Sequence, residues 1–154
     1  MKQFYWSAVC LVCLFSFQKR VMAQDTLLSL AVLDSLPAAL DLKSKQIDLS
    51  AVVKLDVSFQ RLRKVPSKIL KCINLQYLAL HYNQIQQLPL EFIRLQQLQV
   101  LYIGYGVNYE KVIPILANLP HLKKVVFHDD LPNEASQERI RQRLPGVAIY
   151  FYDV

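Results

Sequence analysis

Eight positions in the stretch 75–95 recur 23 residues earlier in the chain with their apolar character kept. Leu75, Leu78, Leu80, Ile85, Leu88, Pro89, Phe92 and Leu95 map onto Val52, Leu55, Val57, Leu62, Val65, Pro66, Ile69 and Cys72, so that even the proline returns. The same step forward reaches Leu98, Leu101 and Ile103, and with one residue inserted the next unit begins at Leu122, Val125 and Phe127. Within a unit the spacing changes. Leu78-x-Leu80 alternates as a half-buried strand does, whereas Leu88-x-x-x-Phe92-x-x-Leu95 follows helical spacing. A unit this short cannot bury its own leucines, but copies stacked side by side can. The chain is therefore expected to build one continuous core from serial units.

The run Leu75–Leu98 carries the pattern LxxLxLxxNxLxxLPxxIxxLxxL almost unbroken and resembles the leucine-rich-repeat family. The resemblance spans about residues 40 to 154 and is tightest in the two central units. It implies an α/β solenoid with a concave parallel β-sheet of about five strands and a helical or irregular convex side. In that family the asparagine side chain bonds backbone groups where the chain leaves the strand, and the resemblance assigns this role to Asn83. Gln60, Gly106 and Asp130 hold the corresponding place in the other units, so the asparagine ladder is expected to be weak and the turns there irregular. Cys72 stands where Leu95 stands and reads as a buried thiol used as a small apolar residue. Extracellular animal members close their ends with cysteine-rich caps; without them, this chain is most similar to the small secreted bacterial type.

Residues 1–23 place Lys2 before an uncharged apolar run from Phe4 to Phe17 and end on Val21-Met22-Ala23. That run is shorter than the ~20 residues of a membrane-spanning helix and fits a secretory signal peptide, with cleavage expected after Ala23. The expected location is secreted, periplasmic or in the cell envelope. Lys19 and Arg20 beside the cut leave an uncleaved anchor as the alternative, and a membrane contact belongs only to that case. Cleavage removes Cys10 and Cys13 and leaves Cys72 without a disulfide partner. It also leaves fifteen basic residues against 12 acidic ones, too weak and scattered a charge for nucleic acid. The one basic cluster, Lys54, Arg61, Arg63, Lys64, Lys68 and Lys71, reads as a solvated outer face.

Residues 24–50 are expected to form an N-terminal cap with a degenerate first repeat. Thr26 to Leu36 reads as a helix over the open end of the core, and Leu40-x-Leu42 with Ile47 as the repeat remnant. The repeat domain then covers 51–154, with units near 52–74, 75–97, 98–121 and 122–146 and a closing strand at 147–152. In the third unit Val112, Ile115 or Leu116, and Leu119 have helical spacing, which Pro114 is expected to interrupt. The fourth unit should hold a helix capped by Asn133, with Ala135, Ile140 and Leu144 on one face. Val147, Ile149 and Phe151 should point inward after a turn at Pro145-Gly146.

The register also assigns the outward columns. Lys54, Tyr77, Val100 and Lys124 form the first, Asp56, Ala79, Tyr102 and Val126 the second, Ser58, His81, Gly104 and His128 the third, and Phe59, Tyr82 and Tyr105 the fourth. The candidate binding residues are accordingly Tyr77, Tyr82, Tyr102, Tyr105, Phe59, His81, Lys54 and Lys124, because aromatic rings give large contact area for little ordering. Packing of the rings on one another as cladding for the sheet is equally open. No phosphate-cradling glycine loop, HExxH or paired-cysteine motif occurs, so no catalytic residue, metal or cofactor is expected. His81 and His128 lie two strands apart, about 10 Å, too far for one metal ion to bridge unaided.

The expected function is an exported, non-enzymatic module that binds a protein partner through its concave aromatic face. One alternative is a structural component of a cell-envelope assembly that completes its core by self-association. Another is a hydrolase using His128 with Asp129 and Asp130, residues that otherwise read as a polar turn.

Overall fold

Each repeated leucine pair becomes the buried side of one short strand. A computed structural model, which describes residues 27–39, 48–104, 106–128 and 132–152, places five such strands in one sheet. These are β1 (Lys54–Asp56), β2 (Tyr77–Ala79), β3 (Val100–Gly104), β4 (Lys124–His128) and β5 (Ala148–Tyr152), all parallel and adjacent in chain order. Leu55, Leu78, Leu101, Val125 and Ile149 stand in one register row, and Ile103, Phe127 and Phe151 in another. Both rows pack into the core that Val65, Ile69, Cys72, Leu88, Phe92 and Leu95 close from the convex side. Burial pushes the Cys72 thiol up from its ordinary value, as suits an inert packing residue.

The return segments lengthen along the chain. After Pro66 and Pro89 they are short 3-10 turns, Ile69–Lys71 and Leu90–Arg94. The next two are helices, α2 (Tyr109–Leu116) and α3 (Glu134–Arg143), which follow α1 (Leu30–Ser35) at the start of the chain. Asn108 and Asn133 cap α2 and α3 by accepting from the N–H groups of Lys111 and Ser136. Pro114 does not break α2. The helix runs through it because Val112, Ile113, Ile115 and Leu116 are all buried, which outweighs one missing N–H donor. Ala135 is exposed, contrary to expectation, since it lies about 140° around α3 from Ile140. Ile140 and Leu144 are buried as expected.

Asn83 joins units one and two. Its side chain is buried; Nδ2 donates to the Val57 and Leu80 carbonyls, both at 2.9 Å, and Oδ1 accepts from the Gln60 and Leu62 N–H groups at 3.1 and 2.9 Å.

At the front, a helix stands within the expected span, and its Leu33 and Asp34 carbonyls meet Lys54 of β1. α1 is shorter than Thr26–Leu36 and lies against the concave face of the sheet. Ser29 caps it, and beyond it Ala39 pairs with Leu55 as a parallel bridge along the outer edge of β1. Residues 1–26, the remnant at Leu40, Leu42 and Ile47, Tyr105, and the Asp129–Asp130 pair lie outside the described residues. Among the described residues no helix is long and apolar enough to cross a membrane.

Candidate functional site on the concave face

The parallel register reproduces the first two outward columns and the Gly104–His128 step of the third, and adds Ala148, Tyr150 and Tyr152 from β5. The face divides into two halves. Toward the strand starts, the leading segment covers it. Lys54 Nζ donates to the Leu33 and Asp34 carbonyls at 2.8 and 3.0 Å while lying 4.6 Å from the Tyr77 ring centroid. The Leu28 N–H donates to Gln76 Oε1 and its carbonyl accepts from Gln99 Nε2, both at 2.8 Å. Ala79, Val100 and Val126, expected to face outward, are buried on this face. Tyr77 and Tyr102 are half-buried with ring centroids 5.4 Å apart. Burial, reinforced by Tyr102, pushes the Tyr77 phenol well above its usual range. Lys124 Nζ donates to Tyr102 Oη at 3.1 Å, and this bond raises its pKa.

Toward the strand ends the rings come into the open. Phe59 and Tyr82 stack at 4.3 Å and 20°, with 68% and 39% of their surfaces exposed. His81 sits at their side, 5.9 Å from Phe59 and 5.1 Å from Tyr82. It stacks on His128 at 4.9 Å, and His128 stacks in turn on Tyr152 at 5.4 Å. Strand spacing alone put the two histidines about 10 Å apart. Gly104, between them in the register, has no side chain, and the imidazoles lean together over it. They remain a pair: among the described residues no group of three or more histidine, cysteine or acidic side chains could hold a metal ion. Burial lowers the pKa of both, and His128 adds to the effect at His81. His81 Nδ1 is buried without a hydrogen-bond partner among the described residues. The open end of the face is a ring-lined surface that offers stacking and hydrogen bonding.

The structure thus gathers Phe59, Tyr82, His81, Tyr77 and Tyr102 on one face and gives Lys54 a partner within the chain. The sequence reading passed over Tyr150, Tyr152, Gln76, Gln99 and the α1 segment. Gln76 and Gln99 carried a signal, being polar residues 23 apart at the same place in two apolar units. On the convex side, a cleft of about 290 Å³ between α2 and α3 is flanked by the Glu110–Arg143 ion pair, 2.8 Å long.

No curated protein sequence matches the chain. Among solved structures it is similar to a leucine-rich-repeat protein of Leptospira interrogans, with 24% identity and a TM-score of 0.47 over 66% of this chain. The matched part is 26% of that protein, so the chain spans about a quarter of its length. Residues 50–105 match the leucine rich repeat family model, over the units whose strands and Asn83 turn are described above. Residues 50–105 are therefore leucine-rich repeats.

Proposed function

We propose that the chain is an exported protein-recognition module that grips its partner with the exposed rings at the strand ends, and that it catalyses nothing. Leucine-rich-repeat domains are typically protein-interaction modules, which supports the class of function. One observation carries the choice of surface. Phe59 and Tyr82 hold φ of 57° and 53°, the left-handed region, at the same place in successive units. That conformation costs a residue with a side chain roughly 1–2 kcal/mol relative to the right-handed one, and glycine would avoid the cost. Both units instead carry a large, exposed ring there, as expected where backbone strain serves a binding site.

The test begins with capture of the partner from a native envelope fraction by the mature chain. Phe59→Gly and Tyr82→Gly should then weaken its binding by ~1–3 kcal/mol, the range of interface hot spots. Binding unchanged in both variants would sink the reading. Export is checked separately by intact mass: the exported chain should begin at Gln24, and a mass retaining residues 1–23 would support the anchored form. The structural alternative draws on β5, whose Ile149 and Phe151 are only partly buried. It would be favoured by dimers in light scattering that Tyr152→Glu dissociates.

A further inference from the structure

Leu33 is fully buried, yet it stands outside the leucine core. Its surroundings lie on the opposite side of the sheet. Its carbonyl accepts from Lys54 of the first outward column, and Ala79, Val100 and Val126 of the concave face are likewise buried and likewise apart from that core. Five residues earlier, the Leu28 main chain is held at both its N–H and its carbonyl by Gln76 and Gln99, whose side chains are joined at 2.9 Å. Two side-chain amides that read main-chain groups, on a face where Leu33, Ala79, Val100 and Val126 are all buried, form the chemistry of a peptide groove.

We propose that Leu28–Ser35 is a resident ligand of the concave face, and that the face accepts in its place a partner's segment of the same chemistry. That segment has an extended residue clamped by Gln76 and Gln99, then a leucine on a single helical turn whose last carbonyls meet Lys54.

Two features make the resident segment exchangeable. α1 has six residues, too few to hold a helix by itself, and buries only Leu33. Gln99 is fully buried, and its Oε1 has no hydrogen-bond partner among the described residues, whereas buried amide oxygens are ordinarily paired. The resident segment therefore leaves the clamp one bond short. An incoming segment with one more N–H in reach completes it and gains the differential affinity that displacement requires. The inference rests on the protein-recognition reading only for the face involved, since the Phe59–Tyr82 pair is not part of the clamp.

The probe is a fluorescent peptide of residues 25–37, DTLLSLAVLDSLP, titrated onto the full chain and onto its Leu33→Ser variant. The variant frees its own segment and should bind the peptide at least roughly tenfold more tightly than the wild type, in which the resident copy competes. Adding Gln76→Ala and Gln99→Ala should abolish this binding. Hydrogen exchange on the wild type needs no variant: amides 28–36 should exchange at least about tenfold faster than those of β2 and β3, through local opening. Equal or absent peptide binding by a folded Leu33→Ser chain overturns the proposal. So does exchange of 28–36 in step with β2 and β3, which alone decides if that variant does not fold. Tyr82→Gly should leave peptide binding unchanged. Loss of the captured partner in that variant, with no peptide binding anywhere, would sustain the recognition reading and reject this one.

Discussion

His81 and His128 stack with ring centroids 4.9 Å apart, one from the turn after β2 and the other from the end of β4. Burial holds both below the ordinary histidine value. The unfolded chain therefore takes up these protons near pH 6.5, before the folded one does. Stability is full above that pH and is lost as pH falls through the lower folded-state values. Urea midpoints measured between about pH 7.5 and 5 should decline on the acid side, with a shallower decline for His81→Gln/His128→Gln. Equal slopes would show that the pair does not govern acid sensitivity.

Gly104 is needed for a close approach. A methyl group there would lie 2.1 Å from the His128 carbonyl oxygen. Gly104→Ala must push β3 and β4 apart at their ends, and an overpacking cost of ~1–3 kcal/mol is expected in chemical denaturation. A variant as stable as the wild type would mean that the strands separate there freely.

Asn83→Ala should be more damaging than its size suggests. It removes the partner of the part-buried Gln60 and Leu62 N–H groups and of the buried Val57 and Leu80 bonds at once, and each buried group left unpaired costs ~1–3 kcal/mol. Gln60 has the equivalent place one unit earlier but is exposed. Gln60→Ala should shift the midpoint little, and comparable losses from both substitutions would argue against a specific Asn83 junction.

Core and ring substitutions should separate cleanly in stability. Leu78→Ala or Leu80→Ala removes fully buried volume and should cost ~2–5 kcal/mol. Tyr82→Gly loses a stacking contact of about 0.5–1.5 kcal/mol but relieves a left-handed backbone, so its net effect should stay within about 1 kcal/mol. If Tyr82→Gly unfolds the chain as readily as Leu78→Ala, the rings are cladding.

The outward columns were legible because a 23-residue period fixes which residues share a strand position, and the sheet keeps that register from β1 to β4. Tyr150 and Tyr152 were passed over, although the inward assignment of Ile149 and Phe151 implies them by simple alternation. The histidine contact was not legible, since strand spacing describes backbones and says nothing of how far two rings lean over a glycine. The position of α1 was hidden for a different reason. A short leucine-bearing segment looks the same whether it covers the end of a core or the front of a sheet, and only the side chains that receive it, Lys54, Gln76 and Gln99, decide.

The bond from Gln99 to the Leu28 carbonyl spans 71 residues of sequence. In a stack whose units touch only their neighbours, an end unit can melt while the rest stays folded. Leu28 instead ties the third unit to the chain ahead of the first, with Gln76 of the second as the link between. While Leu28 is seated, fraying that begins at β1 must therefore break contacts three strands deep, so the open row behaves as a closed loop until residues 28–36 open. A partner that took the place of Leu28 would restore the open row, leaving the first unit free to unzip.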